Sequence, residues 1–414
     1  MAEAEARRQR LAELLDLAQN YKRWTRKELA RTLGRDPTKL IPGSGIPKLD
    51  LVVDLSGVLD WPVDDVVAYL WGQKTEIEAG PADDFETLDQ AARAAHRAGE
   101  YREMIDHARA AFRAAISAEQ RARACNREAG GWDGLGRYSH VLEAVKRGLR
   151  QSPVAPEYQR MLQSNLAAAY YSLWSLVEAR AIAFELLAHY QDQPPKTTRE
   201  RKNEAFAHYV LGHTFRRQIS REPADAAAAL AARARPHLER GRDLYAALAE
   251  ELGDESLAGI ASTCEGGLLE IDATVGLVDT DEALARIADR LDGVADTSEL
   301  AGDVLESYGW WCIFGCNIAL RCLHNERELQ QHMAVFTNKA DEIAERLDNW
   351  SMRERVFTME HSRWERAVGC TGFDIPRIVD EEEVRVITGA MARFPTFRET
   401  GWQILRSAKV IRAN

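Results

Sequence analysis

The sequence predicts an all-α protein: a small five-helix head followed by an α-solenoid of helical hairpins. Three observations carry this expectation. First, three passages look alike: Ala98-Gly99-Glu100-Tyr101-Arg102, Leu135-Gly136-Arg137-Tyr138-Ser139 and Leu173-Trp174-Ser175-Leu176-Val177, each followed by small and apolar residues at helical spacing. Tyr101 and Tyr138 are 37 residues apart, and Tyr138 and Leu176 are 38. A fixed period of this size marks stacked hairpins, each of which needs a neighbour on its bare apolar face. Second, apolar residues recur at three- and four-residue spacing from the start, as in Leu11, Leu14, Leu15 and Ala18. Third, the polar stretch from Gly72 to Asp84, with Gly80-Pro81 inside it, reads as a hinge between two parts.

In the head, residues 1–72, a second helix starts at Thr25, where Glu28 three residues on completes a capping box. Leu29, Ala30 and Leu33 give that helix a buried side, and Gly34 stops it. Asp36-Pro37 offers an N-cap and first-turn proline for a third helix, which Pro42 and Gly43 end early. Lys48 to Leu59, with Leu51, Val52, Leu55 and Leu59 apolar, reads as the fourth helix, and Asp64 to Trp71 as the fifth. Residues 73–84 are the expected linker.

The array is expected over 85–414. Its helices are placed at 85–97, 101–116, 118–129, 138–150, 156–173, 176–190, 198–219, 223–250, 255–274, 281–292, 298–322, 325–347, 350–366, 380–393 and 396–411. Breaks fall at Pro153 and Pro156, Pro194-Pro195, Pro223, Gly253, Gly293, Asn325 and Pro376. This makes about seven hairpins and a trailing capping helix. The glycine-rich run Gly130 to Gly136 reads as the turn of the second hairpin; it follows a helix and lacks Lys-Ser/Thr, so phosphate-loop logic does not apply.

The net charge of −11 argues on its own against a nucleic-acid binder, but its distribution is uneven. Residues 1–48 hold 11 Lys+Arg against 6 Asp+Glu, a balance of +5, so the remainder carries −16. Between Lys22 and Lys39 there are seven basic residues against Glu28 and Asp36. A basic head on an acidic body points to a polyanion at one end only. Met1 to Gln9 has no apolar h-region, so no secretory signal is expected, and no run of about 18 apolar residues predicts a membrane span. The six cysteines are then expected to be reduced thiols in a cytoplasmic protein.

Glu28-Leu29-Ala30-x-x-Leu33-Gly34, followed by Leu51-Val52-Val53-Asp54-Leu55 and Val58-Leu59-Asp60-Trp61-Pro62 to Val66, resembles the XRE (Cro/repressor-type) helix-turn-helix domain. The Gly-x-Tyr turns with small residues and aromatics around them resemble tetratricopeptide repeats over residues 85 to about 410. The layout of the two resembles RRNPP-type peptide-sensing regulators. The resemblance implies a DNA-binding transcriptional regulator, acting as a homodimer, whose repeats bind a peptide or protein partner. Pro37 to Ile41 would be the recognition helix, with Thr38, Lys39 and Ser44 facing the groove, and Lys22, Arg23, Arg26 and Lys27 would meet phosphates. The alternative is an interaction scaffold whose head no longer binds DNA.

On the concave face of such an array, the expected partner-binding residues are Arg121, Asn126 and Arg127, then Gln163, Asn165 and Tyr170, then Asn203, His208, His213 and Arg217. Asn and Arg suit peptide main-chain groups and carboxylates. No metal site is expected: Cys312-x3-Cys316-x5-Cys322 with His324 lies among Trp310, Trp311, Ile313 and Phe314 and has no second ligand pair. His361-x3-Glu365 lacks a second histidine, and Asp380 to Glu383 reads as a solvated helix start. No catalytic constellation and no cofactor motif is seen, so an enzyme is not expected.

Overall fold

The computed structural model describes residues 2–43, 46–61, 63–71, 84–219, 222–292, 300, 302–371 and 376–411. They form two compact units, 1–81 and 82–414. The fold is all-α apart from one small ribbon of two strands. The expected linker lies almost wholly outside the described residues.

The first unit has α1 (Ala2–Lys22), α2 (Arg26–Thr32), α3 (Leu49–Leu59) and α4 (Val63–Trp71). Its core is Leu11, Leu14, Leu15 and Ala18 against Leu29, Ala30, Leu33, Leu51, Val52, Leu55 and Leu59, so the apolar spacing read from the sequence is the buried face. The capping box at Thr25 forms: the Thr25 amide donates to Glu28 Oε2 at 2.7 Å, and the Glu28 amide donates to Thr25 Oγ1. The expected third helix does not. Residues 37–41 are turns and bends. Asp36 Oδ1 accepts the Thr38 amide at 2.8 Å and its hydroxyl at 2.5 Å, which closes an Asx turn instead of capping a helix. Four residues between Pro37 and Pro42 cannot repay the cost of nucleation. Leu40 is buried and pins this turn to the core. The recognition helix expected at Pro37 to Ile41 is therefore corrected to a turn.

The second unit begins with α5 (Phe85–Ala98), α6 (Tyr101–Ala114), α7 (Ala118–Gly134), α8 (Tyr138–Leu149), α9 (Pro156–Ser172), α10 (Leu176–Asp192) and α11 (Thr198–Ile219). It continues with α12 (Ala224–Leu252), α13 (Glu255–Thr274), α14 (Thr280–Asp292), α15 (Gly302–Cys322), α16 (Glu326–Arg346), α17 (Trp350–Thr371), α18 (Glu381–Arg393) and α19 (Arg398–Ser407). No helix among the described residues is long and apolar enough to cross a membrane. The three similar passages share one geometry. Gly99, Gly136 and Trp174 each have positive φ, at 76°, 64° and 63°. Behind each, the next amide reaches back five residues: Glu100 to Ala95, Arg137 to Trp132 and Ser175 to Tyr170. This is the Schellman ending of a helix, which leaves the chain ready for the return helix. Gly253, Gly276 and Asp348 repeat it, so the turn persists where the sequence likeness fades.

Two further expectations change. Gly130, Gly131 and Gly134 lie inside α7, and the turn proper is Leu135 to Arg137. These glycines are notches for α6: a Cβ at Gly131 would stand 2.6 Å from Ile105 Cγ1, and one at Gly134 would stand 2.5 Å from the Tyr101 ring. The expected helix 396–411 is a 3-10 turn (Pro395–Phe397), α19 and a strand, β2 (Ala408–Ile411), which pairs in parallel with β1 (Arg377–Asp380). The β-branched Ile378, Val379, Val410 and Ile411 favour the extended chain.

The array also closes on itself. Ser351 Oγ donates to the Tyr138 hydroxyl at 3.0 Å, 213 residues away, and Arg393 Nε donates to the Leu135 carbonyl at 3.2 Å, 258 residues away. The Tyr138 and Phe394 rings are 5.8 Å apart. Helix approach elsewhere is as tight: a Cβ at Gly259 of α13 would stand 2.5 Å from the Asp303 carbonyl oxygen of α15. Gly57 of α3 has nothing within 4 Å. Thermal unfolding of single variants should show opposite signs. Gly259→Ala should cost about 1–3 kcal/mol through overpacking, and Gly57→Ala should stabilise its helix by up to about 1 kcal/mol. Similar shifts for both would contradict this packing.

Candidate functional site

The expected partner-binding residues mostly tie helices to one another. Arg121 Nε donates to Gln151 Oε1 at 2.9 Å, Arg127 Nε to the buried Asp89 at 2.9 Å, and Asn165 Nδ2 to Asn126 Oδ1 at 2.7 Å. His208 faces His237, Nδ1 to Nδ1, at 3.0 Å; burial, with His237 beside it, holds His208 down at about 4, so it is neutral at pH 7. His213 is buried and accepts from Arg216 Nε at 3.0 Å, while Arg216 pairs with Glu270 at 2.6 Å. Asn203 is buried. Tyr170 lies under the Lys146 ammonium, 5.3 Å from the ring centre. Gln163 borders a shallow recess with Gln159, Arg160 and His189. Of the ten, Arg217 alone borders a half-open cavity inside the array.

That cavity has a volume of about 760 Å3 and is built from helix ends and the turns between them. The α5–α6 turn gives Gly99 and Tyr101, the end of α7 and its turn give Asp133 to Gly136, and the start of α8 gives Tyr138. Helix α9 adds Tyr171 and Ser172, α11 adds Phe206, Tyr209 and Arg217, α15 adds Asp303, Glu306 and Trp310, and the α16–α17 turn adds Asp348 to Ser351. The wall is aromatic and the fixed charge is mainly negative. Arg217 is already engaged: its Nη1 donates to the Tyr171 carbonyl at 2.8 Å, and its guanidinium lies 3.7 Å from the Tyr171 ring centre and 4.5 Å from that of Trp174. Asp348 pairs with Arg353 at 3.0 Å.

The three remaining carboxylates are uncomfortable. Asp133 has no hydrogen-bond or ion-pair partner among the described residues; its side chain is exposed to the water of the cavity, and the protein walls around that water push its carboxyl up to about 6. Glu306 accepts from Trp310 Nε1 at 2.8 Å, yet burial still raises it, helped by the negative charges of Asp303 and Asp133. Asp303 is raised by burial and by Asp254. Burial and Asp133 together raise the Tyr138 hydroxyl. The sequence reading passed over these residues. Asp303 and Glu306 stand three apart with Trp310 four further on, one face of an apolar helix, and this was the available signal.

In the first unit the expected phosphate-facing residues lie between the end of α1 and the turn after α2. Arg23, Arg26, Lys27, Thr38 and Lys39 are exposed, as is Arg31 between them. Lys22 is held by Asp60 at 2.9 Å, and Arg26 Nε donates to the Pro37 carbonyl at 3.1 Å. Both donors of Thr38 go to Asp36. Ser44 lies outside the described residues. Arg23, Lys27, Arg31 and Lys39 have no ion-pair partner among the described residues. No protein-family model matches the chain, and no curated protein matches it.

Asp133 supplies a pH test. Its folded-state carboxyl titrates above its unfolded value, so the folded chain binds the extra proton between about pH 4 and 6, and stability is lost as pH rises through that window. Much of the side chain reaches water, which screens the effect, so Asp133→Asn should raise the melting temperature at pH 7.5 by about 1 °C or less and leave it nearly unchanged at pH 4. Equal shifts at both pH values would show that the carboxyl is not strained.

Proposed function

We propose that this chain is a cytoplasmic DNA-binding regulator, in which the basic first unit holds the phosphate backbone and the helical-repeat second unit binds a peptide or protein partner. One observation carries the reading: five exposed cations, Arg23, Arg26, Lys27, Arg31 and Lys39, none of them ion-paired with a carboxylate among the described residues, on a chain that is otherwise acidic. Exposed cations gathered in one short stretch of an acidic chain are the electrostatic footprint that a polyanion meets. The Asx turn at Asp36 leaves these residues without a helix that could lie in the major groove. The reading is therefore one of backbone contact, with base-edge contacts made, if at all, by Lys39 and Thr38 from a turn. A homodimer would double the phosphate contacts. The XRE and tetratricopeptide likenesses of the sequence support the same division of labour. In mechanism, a partner bound more tightly by one conformation of the repeat unit shifts the population toward it.

A second reading, an interaction scaffold, is favoured by one specific feature. Leu49 and Val53 on α3 and Val63 and Val67 on α4 are exposed apolar side chains, more than a unit of this size needs to show. In that case α3 and α4 contact a protein and the basic stretch is simply solvated.

Fluorescence anisotropy with a labelled genomic duplex separates the two. The first reading expects binding at 50 mM salt that falls steeply by 200 mM, with a log–log slope reduced by about 0.9 for each phosphate contact removed. Reversing Arg23, Lys27 and Lys39 to Glu together should abolish it. Binding that is absent at 50 mM salt, or indifferent to the triple variant, would exclude the DNA reading.

A further inference from the structure

We infer that this half-open cavity of the second unit is a binding site for an organic cation, a guanidinium or alkylammonium group held between carboxylates and aromatic faces. The inference deepens the reading of the second unit as the ligand-binding part of the chain, and it does not depend on the DNA reading of the first. The volume of about 760 Å3 is that of a small-molecule site. Its charge selects the ligand. Asp133 is exposed to the water of the cavity and has no hydrogen-bond or ion-pair partner among the described residues. Glu306 has one oxygen on Trp310 Nε1 and stands within electrostatic reach of Asp133 and Asp303. Carboxylates gathered around one recess repel one another and favour a cation placed among them. Among the described lining residues the only guanidinium is that of Arg217, which is spent on Tyr171 and Trp174. An anionic ligand would meet like charge on entry.

A bare metal ion does not fit the pattern. No three His, Cys, Asp or Glu groups among the described residues converge closely enough to hold one. The carboxylates Asp133, Asp303 and Glu306 share the lining with the rings of Tyr138, Tyr171, Phe206, Tyr209 and Trp310. Tyr138 adjoins Asp133, and Tyr209, stacked on Phe206 at 5.9 Å, feels Glu306. Flat rings beside carboxylates suit a cation that is large, soft and only partly hydrated, which is the character of guanidinium and alkylammonium groups. Such a group can be presented by a basic side chain of a peptide or by a free polyamine.

Calorimetric titration of the full chain tests this with three probes: an end-capped alanine peptide carrying one arginine, the same peptide with citrulline in its place, and spermidine. The arginine peptide should bind at least about tenfold more tightly than its neutral twin, since a charge-assisted hydrogen bond carries that much. Glu306→Gln, which keeps an acceptor for Trp310, and Asp133→Asn should each weaken it by about tenfold, and Glu178→Gln, an exposed change outside the cavity, should not. Near-ultraviolet circular dichroism confirms that the variants are folded. Spermidine binding that displaces the peptide and is lost in the same two variants supports the site and names a free amine as its source. Equal binding of the arginine and citrulline peptides overturns the cation site while leaving peptide binding intact. No binding of any probe overturns the site and counts against the second unit as a peptide receptor.

Discussion

The second unit depends on one seam, where the Leu135–Tyr138 turn meets the start of α17 and the end of α18. Gly136 makes the seam possible in two ways. Its φ of 64° lets α7 end and α8 begin. Its lack of a side chain lets Trp350 approach, since a Cβ there would stand 3.0 Å from that of Trp350. Arg393 then covers the indole at 3.5 Å from the ring centre and bonds the Leu135 and Gly389 carbonyls. Burial lowers its guanidinium to about 10, still charged at neutral pH, so the cation–π contact and two carbonyl bonds hold a charge taken partly out of water.

Charge is used in two ways in this unit. Asp89 is buried and held by Arg93, Arg123 and Arg127; Glu128 is buried between Arg109 and Arg147; Glu270 is buried against Arg216 and Asn317. These satisfied networks span successive helices and fix their register, while removing one partner would strand the other. Asp133, Asp303 and Glu306 are the counterexample, charges placed around a void with little to hold them. The contrast separates scaffold from site: the residues first expected to bind a partner, Arg121, Asn126, Arg127 and Asn165 among them, are spent on the scaffold.

Much of this was legible in the residues. Apolar spacing located the first unit's core, and the Gly-x-Tyr period located turns whose backbone geometry is indeed shared. The period could not show that Trp174 takes the glycine conformation in the third passage, because no local rule places tryptophan at positive φ. The turn at Asp36 was misread because Asp-Pro starts helices and Asx turns alike, and the choice is made by how many residues follow before the next proline. The glycines of α7 were misread as a loop since their reason lies in α6. The lining of the cavity was not legible, for it is assembled from turns up to 250 residues apart, and closure is a property of accumulated helix angles that no single passage encodes.

Hydrogen exchange on the Trp350→Ala variant tests the closure directly. If the seam holds the unit shut, protection should fall together at the α5–α6 and α7–α8 turns and at the end of α18, far apart in the chain. Loss confined to the residues around 350, with the Leu135–Tyr138 turn as protected as before, would contradict it.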